Sequence, residues 1–270
     1  MTRFRKMQGL GNDFVIFDTR DGAVAMDADR ARAIADRRTG VGCDQVILLE
    51  PSDVADVRMR IWNADGGEAE ACGNAARCVA MLGAETIETK SGVLSAKSDG
   101  AAATVDMGPP RFGWEDIPLA YAMDTGAMPV GWEALAEPFA VNVGNPHVVF
   151  FVEDASSIDL ARLGPLIERD PLFPGGVNVN VAEIRVGGID VDGVRGPGID
   201  LQVWERGAGL TRACGTGACA TAVAAIRQRR MSAPVTICLP GGRLTIDWTP
   251  GGTIRMSGPA THVFSGELPE

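Results

Sequence analysis

RIWNADGGEAEACGNAARCVA (60–80) and QVWERGAGLTRACGTGACATA (202–222) are two versions of one segment. Trp62 and Trp204 each stand ten residues ahead of a cysteine, Gly67 answers Gly209, and Ala-Cys-Gly recurs, all at a shift of 142. One coincidence would carry no weight, but several at a constant shift mark an internal duplication. Further out, GLGNDFVIFD (9–18) aligns with NVGNPHVVFFVED (142–154) at a shift of 133, with Gly11-Asn12 on Gly144-Asn145 and Phe17 on Phe150. The same shift sets GVGCDQVIL (40–48) on FPGGVNVNV (173–181) and pairs Gln45 with Asn178.

Short β-branched runs bounded by Gly, Pro or Asp predict strands at Val15-Ile16-Phe17, Val46 to Leu49, Val148 to Val152 and Leu244-Thr245-Ile246. After each Ala-Cys-Gly the apolar spacing predicts a helix. Ala75, Ala76, Val79, Ala80 and Leu82 give one apolar face ahead of Gly83, and Ala218, Ala222, Val223 and Ile226 give another. Arg227, Arg229 and Arg230 follow the second, where positive charge suits the dipole of a helix C-terminus. The expected class is α+β, with two pseudo-symmetric domains, each a mostly antiparallel sheet wrapped around a central helix, and an active site in the interdomain cleft. A boundary at Gly108-Pro109-Pro110 gives domains 1–110 and 111–257, with the tail 258–270 packing back on the first.

A length of 270 residues fits two domains with a real core in each. The formal charge of -10 and a pI near 4.8 disfavour nucleic acid or an anionic membrane as the main partner, because the overall field repels both. MTRFRKMQGLGNDF has no apolar core of signal-peptide length, and no stretch is apolar for long enough to span a bilayer, so the expected location is the cytoplasm. Six cysteines there are expected as thiols. Their spacing and the presence of only His147 and His262 as imidazoles argue against a metal site.

Cys72-Gly73-Asn74-Ala75 and Cys214-Gly215-Thr216-Gly217 both fall where a loop enters a helix. The first turn of a helix carries unpaired N–H groups and a partial positive charge, which bind a carboxylate and favour a thiolate. Two such ends related by duplication can flank one substrate anion. Removing the α-hydrogen of an amino acid puts negative charge on its carboxylate, so the same N–H groups stabilise the transition state. One thiolate takes the proton and the opposite thiol returns one to the other face. A thiol titrates near ~8.5, and a modest downward shift is expected to bring each cysteine close to operating pH. Neither a pyridoxal-phosphate lysine nor a nucleotide-binding glycine loop is recognisable. A lone cysteine before a helix is usually a small hydrophobe, and so Cys43, Cys78, Cys219 and Cys238 are read.

GLGNDFVIFD, GVGCDQVILLE, WNADGGEAEACGNAARC, GNPHVVFF, VNVNVAEI and WERGAGLTRACGTGACATA, in that order, resemble the motifs of the diaminopimelate epimerase family across nearly the whole chain. The two Cys-Gly motifs alone would also suit proline racemase or hydroxyproline epimerase. The resemblance implies interconversion of LL- and meso-2,6-diaminopimelate, towards lysine and peptidoglycan, with no cofactor and no metal. It makes Cys72 and Cys214 catalytic and sets Gly73, Asn74, Gly215 and Thr216 around the reacting α-carboxylate. Asn12, Gln45, Asn63, Asn145, Asn178, Glu205 and Arg206 would line the substrate pocket, with His147 and Glu205 supporting the catalytic pair. It also implies a homodimer, although Phe264 stands where the family often has a tyrosine. The rival of another class is a redox or binding protein that kept the fold and uses its thiols otherwise.

Overall fold

The computed structural model describes residues 1–20, 22, 24–69, 72–191 and 194–269; Glu70 and Ala71 of the first quoted segment lie outside the described residues. The chain divides into two units, Met1–Asp106 with Ser257–Glu270, and Met107–Met256.

The first unit runs β1 (Thr2–Gly9), β2 (Asn12–Asp18), α1 (Ala28–Ala35), β3 (Gln45–Glu50), β4 (Val57–Asn63), β5 (Glu68–Ala69), α2 (Gly73–Met81), β6 (Thr86–Thr89), β7 (Gly92–Ser98) and β8 (Ala102–Asp106). Hairpin neighbours are antiparallel, but β2–β3 and β4–β6 are parallel, with Phe14 beside Gln45 and Val57 beside Ile87. A parallel pair cannot be closed by a tight turn and needs a crossover. Helix α1 supplies it between β2 and β3, and α2 supplies it between β4 and β6.

The second unit repeats this plan. It runs β9 (Gly131–Trp132), β10 (Leu135–Ala136), β11 (Phe139–Asn142), β12 (Pro146–Val152), α3 (Leu160–Glu168), β13 (Asn178–Val191), β14 (Val194–Glu205), β15 (Gly209–Thr211), α4 (Gly215–Arg227), β16 (Val235–Leu239) and β17 (Gly242–Asp247). Here β12–β13 and β14–β16 are the parallel pairs, with His147 beside Asn178 and Gly198 beside Thr236. The pairings Phe14–Gln45 and His147–Asn178 are the same pairing at the shift of 133 read from the sequence. The chain leaves the unit along β18 (Arg255–Pro259) and ends in β19 (Thr261–Leu268), which lies antiparallel to β1 with Thr2 opposite Leu268.

Two helices were not anticipated. Helix α1 is capped by the Asp27 carboxylate, which accepts from Arg30 N–H at 2.8 Å, and α3 by Asp159, which accepts from Arg162 N–H at 3.2 Å. Both carry the Asp-before-helix signal that such ends prefer. They cover cores built from alternate strand residues: Val15, Phe17, Val46 and Leu48 against Ala31 and Ile34, and Phe150, Val179 and Val181 against Leu160, Leu163 and Ile167. Helices α2 and α4 differ from the one-faced helices the spacing suggests, because both are enclosed nearly all round. Every residue from Gly73 to Ala80 is buried, including Asn74 and Arg77, as are Gly215 and Gly217 to Ala225. Only Arg227 of the three arginines lies within α4; Gln228 is its C-cap, and Arg229 has a φ of 58°.

Gly164 on α3 meets the duplicated tryptophan of the second unit. A Cβ there would lie 2.4 Å from Trp204 Cγ and Cδ2, while the indole N–H donates to Glu168 Oε2 at 2.6 Å and cannot swing away freely. Gly164→Ala is expected to destabilise the protein by about 1–3 kcal/mol through overpacking. Denaturant unfolding followed by tryptophan fluorescence measures this; an unchanged midpoint would show that α3 does not seat against Trp204 as described.

Candidate active site

Each cysteine of the duplicated motif is the N-cap of an enclosed crossover helix. Cys72 precedes α2 with φ −147° and ψ 110°, and Cys214 precedes α4 with φ −124° and ψ 108°. Both cap carbonyls accept the first helical hydrogen bond, from Ala76 N–H at 2.9 Å and from Ala218 N–H at 3.0 Å. The N–H groups of the first turn lie ahead of that ladder. Cys72 is half-buried and Cys214 is buried. Cys43, Cys78 and Cys219 are buried thiols, and Cys238 is half-buried in β16.

In the first unit, Asn12 opens β2 and faces the α2 cap. Its Nδ2 donates to Asp44 Oδ2 at 2.9 Å, while its Oδ1 accepts from Asn74 Nδ2 at 3.1 Å and lies 3.9 Å from Cys72 Sγ. Asp44 belongs to a buttress that sequence reading passed over. Its Oδ2 also accepts Asp13 N–H at 3.1 Å, and Asp13 is paired with buried Lys6 at 2.6 Å and with Arg37 at 2.8 Å. Burial alone would raise the Asp13 carboxyl, but hydrogen bonds from Arg37 and Lys6 outweigh it and hold it well below the usual carboxylate range. Gln45 and Asn63, opposite one another on β3 and β4, are joined by a 2.8 Å bond from Gln45 Nε2 to Asn63 Oδ1. Gln45 Oε1 is buried with no partner among the described residues.

In the second unit, Cys214 Sγ accepts Gly217 N–H at 3.3 Å and lies 3.5 Å from Thr216 Oγ1. Glu205 ends β14 beside it and takes a short hydrogen bond from the Thr211 hydroxyl. Here the expectation of a lowered thiol fails: burial first, and the Glu205 carboxylate second, push the Cys214 thiol well above its ordinary value. A helix end contributes about 0.3–1 kcal/mol to a nearby charge, too little against desolvation of a buried anion next to a carboxylate. Asn178 Nδ2 donates to Pro146 O at 2.8 Å and its Oδ1 accepts Arg206 N–H at 3.0 Å; exposed Arg206 reaches Gly175 O at 2.9 Å. His147 is fully buried between Asn145 Oδ1, 2.9 Å from Nε2, and Asn180 Nδ2, 3.1 Å from Nδ1. Burial, with the positive charge of Arg206, lowers its pKa to about 3, so the ring is neutral at physiological pH.

Asn12 and Asn74 thus gather at the α2 cap and Glu205 and Thr216 at the α4 cap, while Gln45–Asn63 and Asn178–Arg206 form separate contacts in their own units. Asp44 and Asn180 were missed, though both left a trace. Asp44 sits inside the Gly-Cys-Asp-Gln motif, and strand alternation puts Asn180 on the same face as Asn178. Among the described residues no group of three or more His, Cys, Asp or Glu side chains is placed to hold a metal ion, and no helix is long and apolar enough to cross a membrane.

The diaminopimelate epimerase family model matches residues 4–113 and 139–263. Diaminopimelate epimerase of Rhizorhabdus wittichii is 62% identical over 98% of this chain and 94% of its own length, and that of Sphingopyxis alaskensis is 59% identical over 98% and 96%. Among solved structures, a PhzF-family phenazine biosynthesis protein of Bacillus anthracis superposes with a TM-score of 0.69 at 15% identity, covering 100% of this chain and 99% of that one. A probable proline racemase from Agrobacterium radiobacter gives 0.65 at 16%, covering 100% and 93%. These remote likenesses establish the fold alone, and the specific kinship comes from sequence along almost the entire length: the chain belongs to the diaminopimelate epimerase family.

Proposed function

We propose that this chain interconverts LL- and meso-diaminopimelate, with Cys72 and Cys214 as its two proton carriers. The observation that carries the mechanism is the repeated N-cap cysteine, a thiol at the N-terminal turn of a buried helix in each unit. A thiolate removes the α-hydrogen while the other thiol gives a proton to the opposite face; the first cysteine ends protonated and the second ends as thiolate, so the reverse reaction starts from the exchanged state. Gly73, Asn74, Gly215 and Thr216 supply the first-turn groups that hold the α-carboxylate as charge builds on it. Burial and Glu205 keep Cys214 protonated before substrate arrives, which suits it to donate first. Cys72 then deprotonates the D centre, and Cys214 the L centre in the other direction.

Asn12, Gln45, Asn63, Asn145, Asn178 and Arg206 offer amides and a guanidinium to the two amino-acid ends of the substrate, and Glu205 meets an ammonium. A pocket of such groups rejects a ligand that leaves them unpaired, which separates diaminopimelate from a proline-sized substrate. We place the enzyme in the cytoplasm and assign it as a homodimer through β19, where Val263 and Phe264 are 53% and 46% exposed and Phe264 packs edge-on against Phe4.

Three outcomes are expected. Wild-type protein without added cofactor exchanges solvent deuterium into LL-diaminopimelate, and Cys72→Ala or Cys214→Ala lowers epimerisation by at least ~10²–10⁴-fold; a single-alanine variant that still epimerises normally rules out the two-thiol mechanism. In substrate-free Cys72→Ala protein, alkylation of Cys214 followed by peptide mass spectrometry shows its midpoint at higher pH than a free cysteine, because the raised thiol stays protonated as pH climbs through the ordinary range. Phe264→Asp shifts the sedimentation profile from dimer to monomer, and a wild-type monomer would end the dimer assignment.

A further inference from the structure

We propose that Asn180 is a positioning residue: acting through His147, it turns the Asn145 side chain so that its NH2 faces the substrate as a carboxylate donor. The inference rests on the reading of the site given above and assigns a role to a buried side chain that the mechanism leaves unused.

The orientation follows from the one atom in the chain of contacts that has no choice. The Val148 carbonyl can only accept, so the Asn180 atom 2.9 Å from it is Nδ2. That same Nδ2 stands 3.1 Å from His147 Nδ1, which must therefore accept as well. A neutral imidazole with an accepting Nδ1 carries its proton on Nε2. Nε2 lies 2.9 Å from Asn145 and donates to its Oδ1. With the carbonyl occupied, half-buried Asn145 has its two amide N–H groups left to present. Asn180 and His147 are both 0% exposed and have no path to the substrate themselves.

Two further features mark Asn180 as more than a packing choice. Its Oδ1 is buried with no partner among the described residues, an arrangement that costs stability. At the shift of 133 its counterpart in the first unit is Ile47, a fully buried strand residue, so an apolar side chain satisfies this position in the other half. The charged group that acts on the His147 ring is Arg206, and its positive charge joins burial in keeping the ring neutral. The relay accordingly keeps one polarity across the working pH range.

The test reads the ring directly. Besides His147 the chain has one other histidine, His262, so ¹⁵N-histidine labelling with a His262→Gln control for assignment resolves both nitrogens of His147. In substrate-free protein Nδ1 should show the shift of an unprotonated nitrogen and Nε2 that of a protonated one. Asn180→Asp replaces the donor with an acceptor and should move the ring proton to Nδ1 or protonate both nitrogens; Asn180→Leu removes the donor and should also alter the Nδ1 shift if the aspartate variant is too unstable to use. In either variant the KM for diaminopimelate should rise about tenfold or more, with kcat changed less. Asn145→Asp, which keeps the acceptor for His147 and turns a negative oxygen outward, should raise KM likewise. An Nδ1–H tautomer in the wild type, unaltered shifts in the Asn180 variants, or an unchanged or lowered KM in Asn145→Asp would overturn the proposal. The shifts are recorded without substrate, so they stand or fall separately from the epimerase assignment.

Discussion

Enclosing a crossover helix inside a sheet constrains everything else in each half of this protein. Strands can close around α4 because it is built of small residues, Gly-Thr-Gly-Ala-Cys-Ala-Thr-Ala-Val-Ala-Ala before Ile226 and Arg227, whereas α2 also takes Asn74 and Arg77 into its enclosure. A buried helix must also find acceptors for the first-turn N–H groups, because a buried donor left unpaired is expensive. In α4 the Cys214 sulfur accepts one of them, from Gly217. Gly217 is required there, since a Cβ would stand 2.7 Å from Asn180 Oδ1 and 3.1 Å from Val203 Cγ2. In the proposed mechanism a substrate carboxylate at such an end would complete the hydrogen bonding of the helix, and a cap thiol would stand beside the carbon to which that carboxylate is attached.

The fold was legible because the duplication and the strand pattern report backbone constraints, which act through short segments. Val15 to Phe17 and Val148 to Val152 become β2 and β12, and the alignment that paired Gln45 with Asn178 reappears as equivalent register in the two sheets. Helices α2 and α4 were read in place and are enclosed by sheet as the expected class has it, but their apolar spacing alone did not show how complete the enclosure is. A one-faced pattern was visible in Ala75, Ala76, Val79 and Ala80, whereas Asn74 and Arg77 on the remaining face are buried by strands distant in sequence, which no local periodicity encodes. Helices α1 and α3 are short, yet each left two signals that sequence reading passed over: an Asp cap, and a buried stripe of Ala31, Ile34 and Ala35 in α1 and of Leu160, Leu163 and Ile167 in α3.

Within the site, residue types that touch each other at short separation could be named from motifs, but their electrostatic state could not. The helix-end argument favours a lowered thiol for both cysteines, and it is correct about the sign of the dipole. It omits the size of the competing effects. Cys214 is nearly inaccessible and has a carboxylate neighbour from β14, so desolvation and like charge together exceed the dipole. Whether a cap cysteine rests as thiol or thiolate is decided by what the sheet brings next to it, and Glu205 arrives there through the β14 register.

The same distinction explains how a duplicated scaffold serves a reaction whose two ends are not alike. Asn12 and Asn145 are equivalent positions with one side-chain chemistry, yet their amides are held in opposite senses. Asn12 gives its NH2 to Asp44 and shows its carbonyl to Asn74 and Cys72; Asn145 gives its carbonyl to His147. The groups responsible have no functional counterparts across the repeat: at the shift of 133, Asp44 answers Val177, His147 answers Phe14, and Asn180 answers Ile47. Each polar member of these pairs replaces, or is replaced by, a buried apolar residue, with Val177, Phe14 and Ile47 all fully enclosed. Asn12 and Asn145 thus remain a matched pair across the duplication, while the groups that set their direction differ between the halves. An amide side chain is well suited to this, because reversing it exchanges donor for acceptor without moving a single strand, and the layer behind has only to decide which way it points.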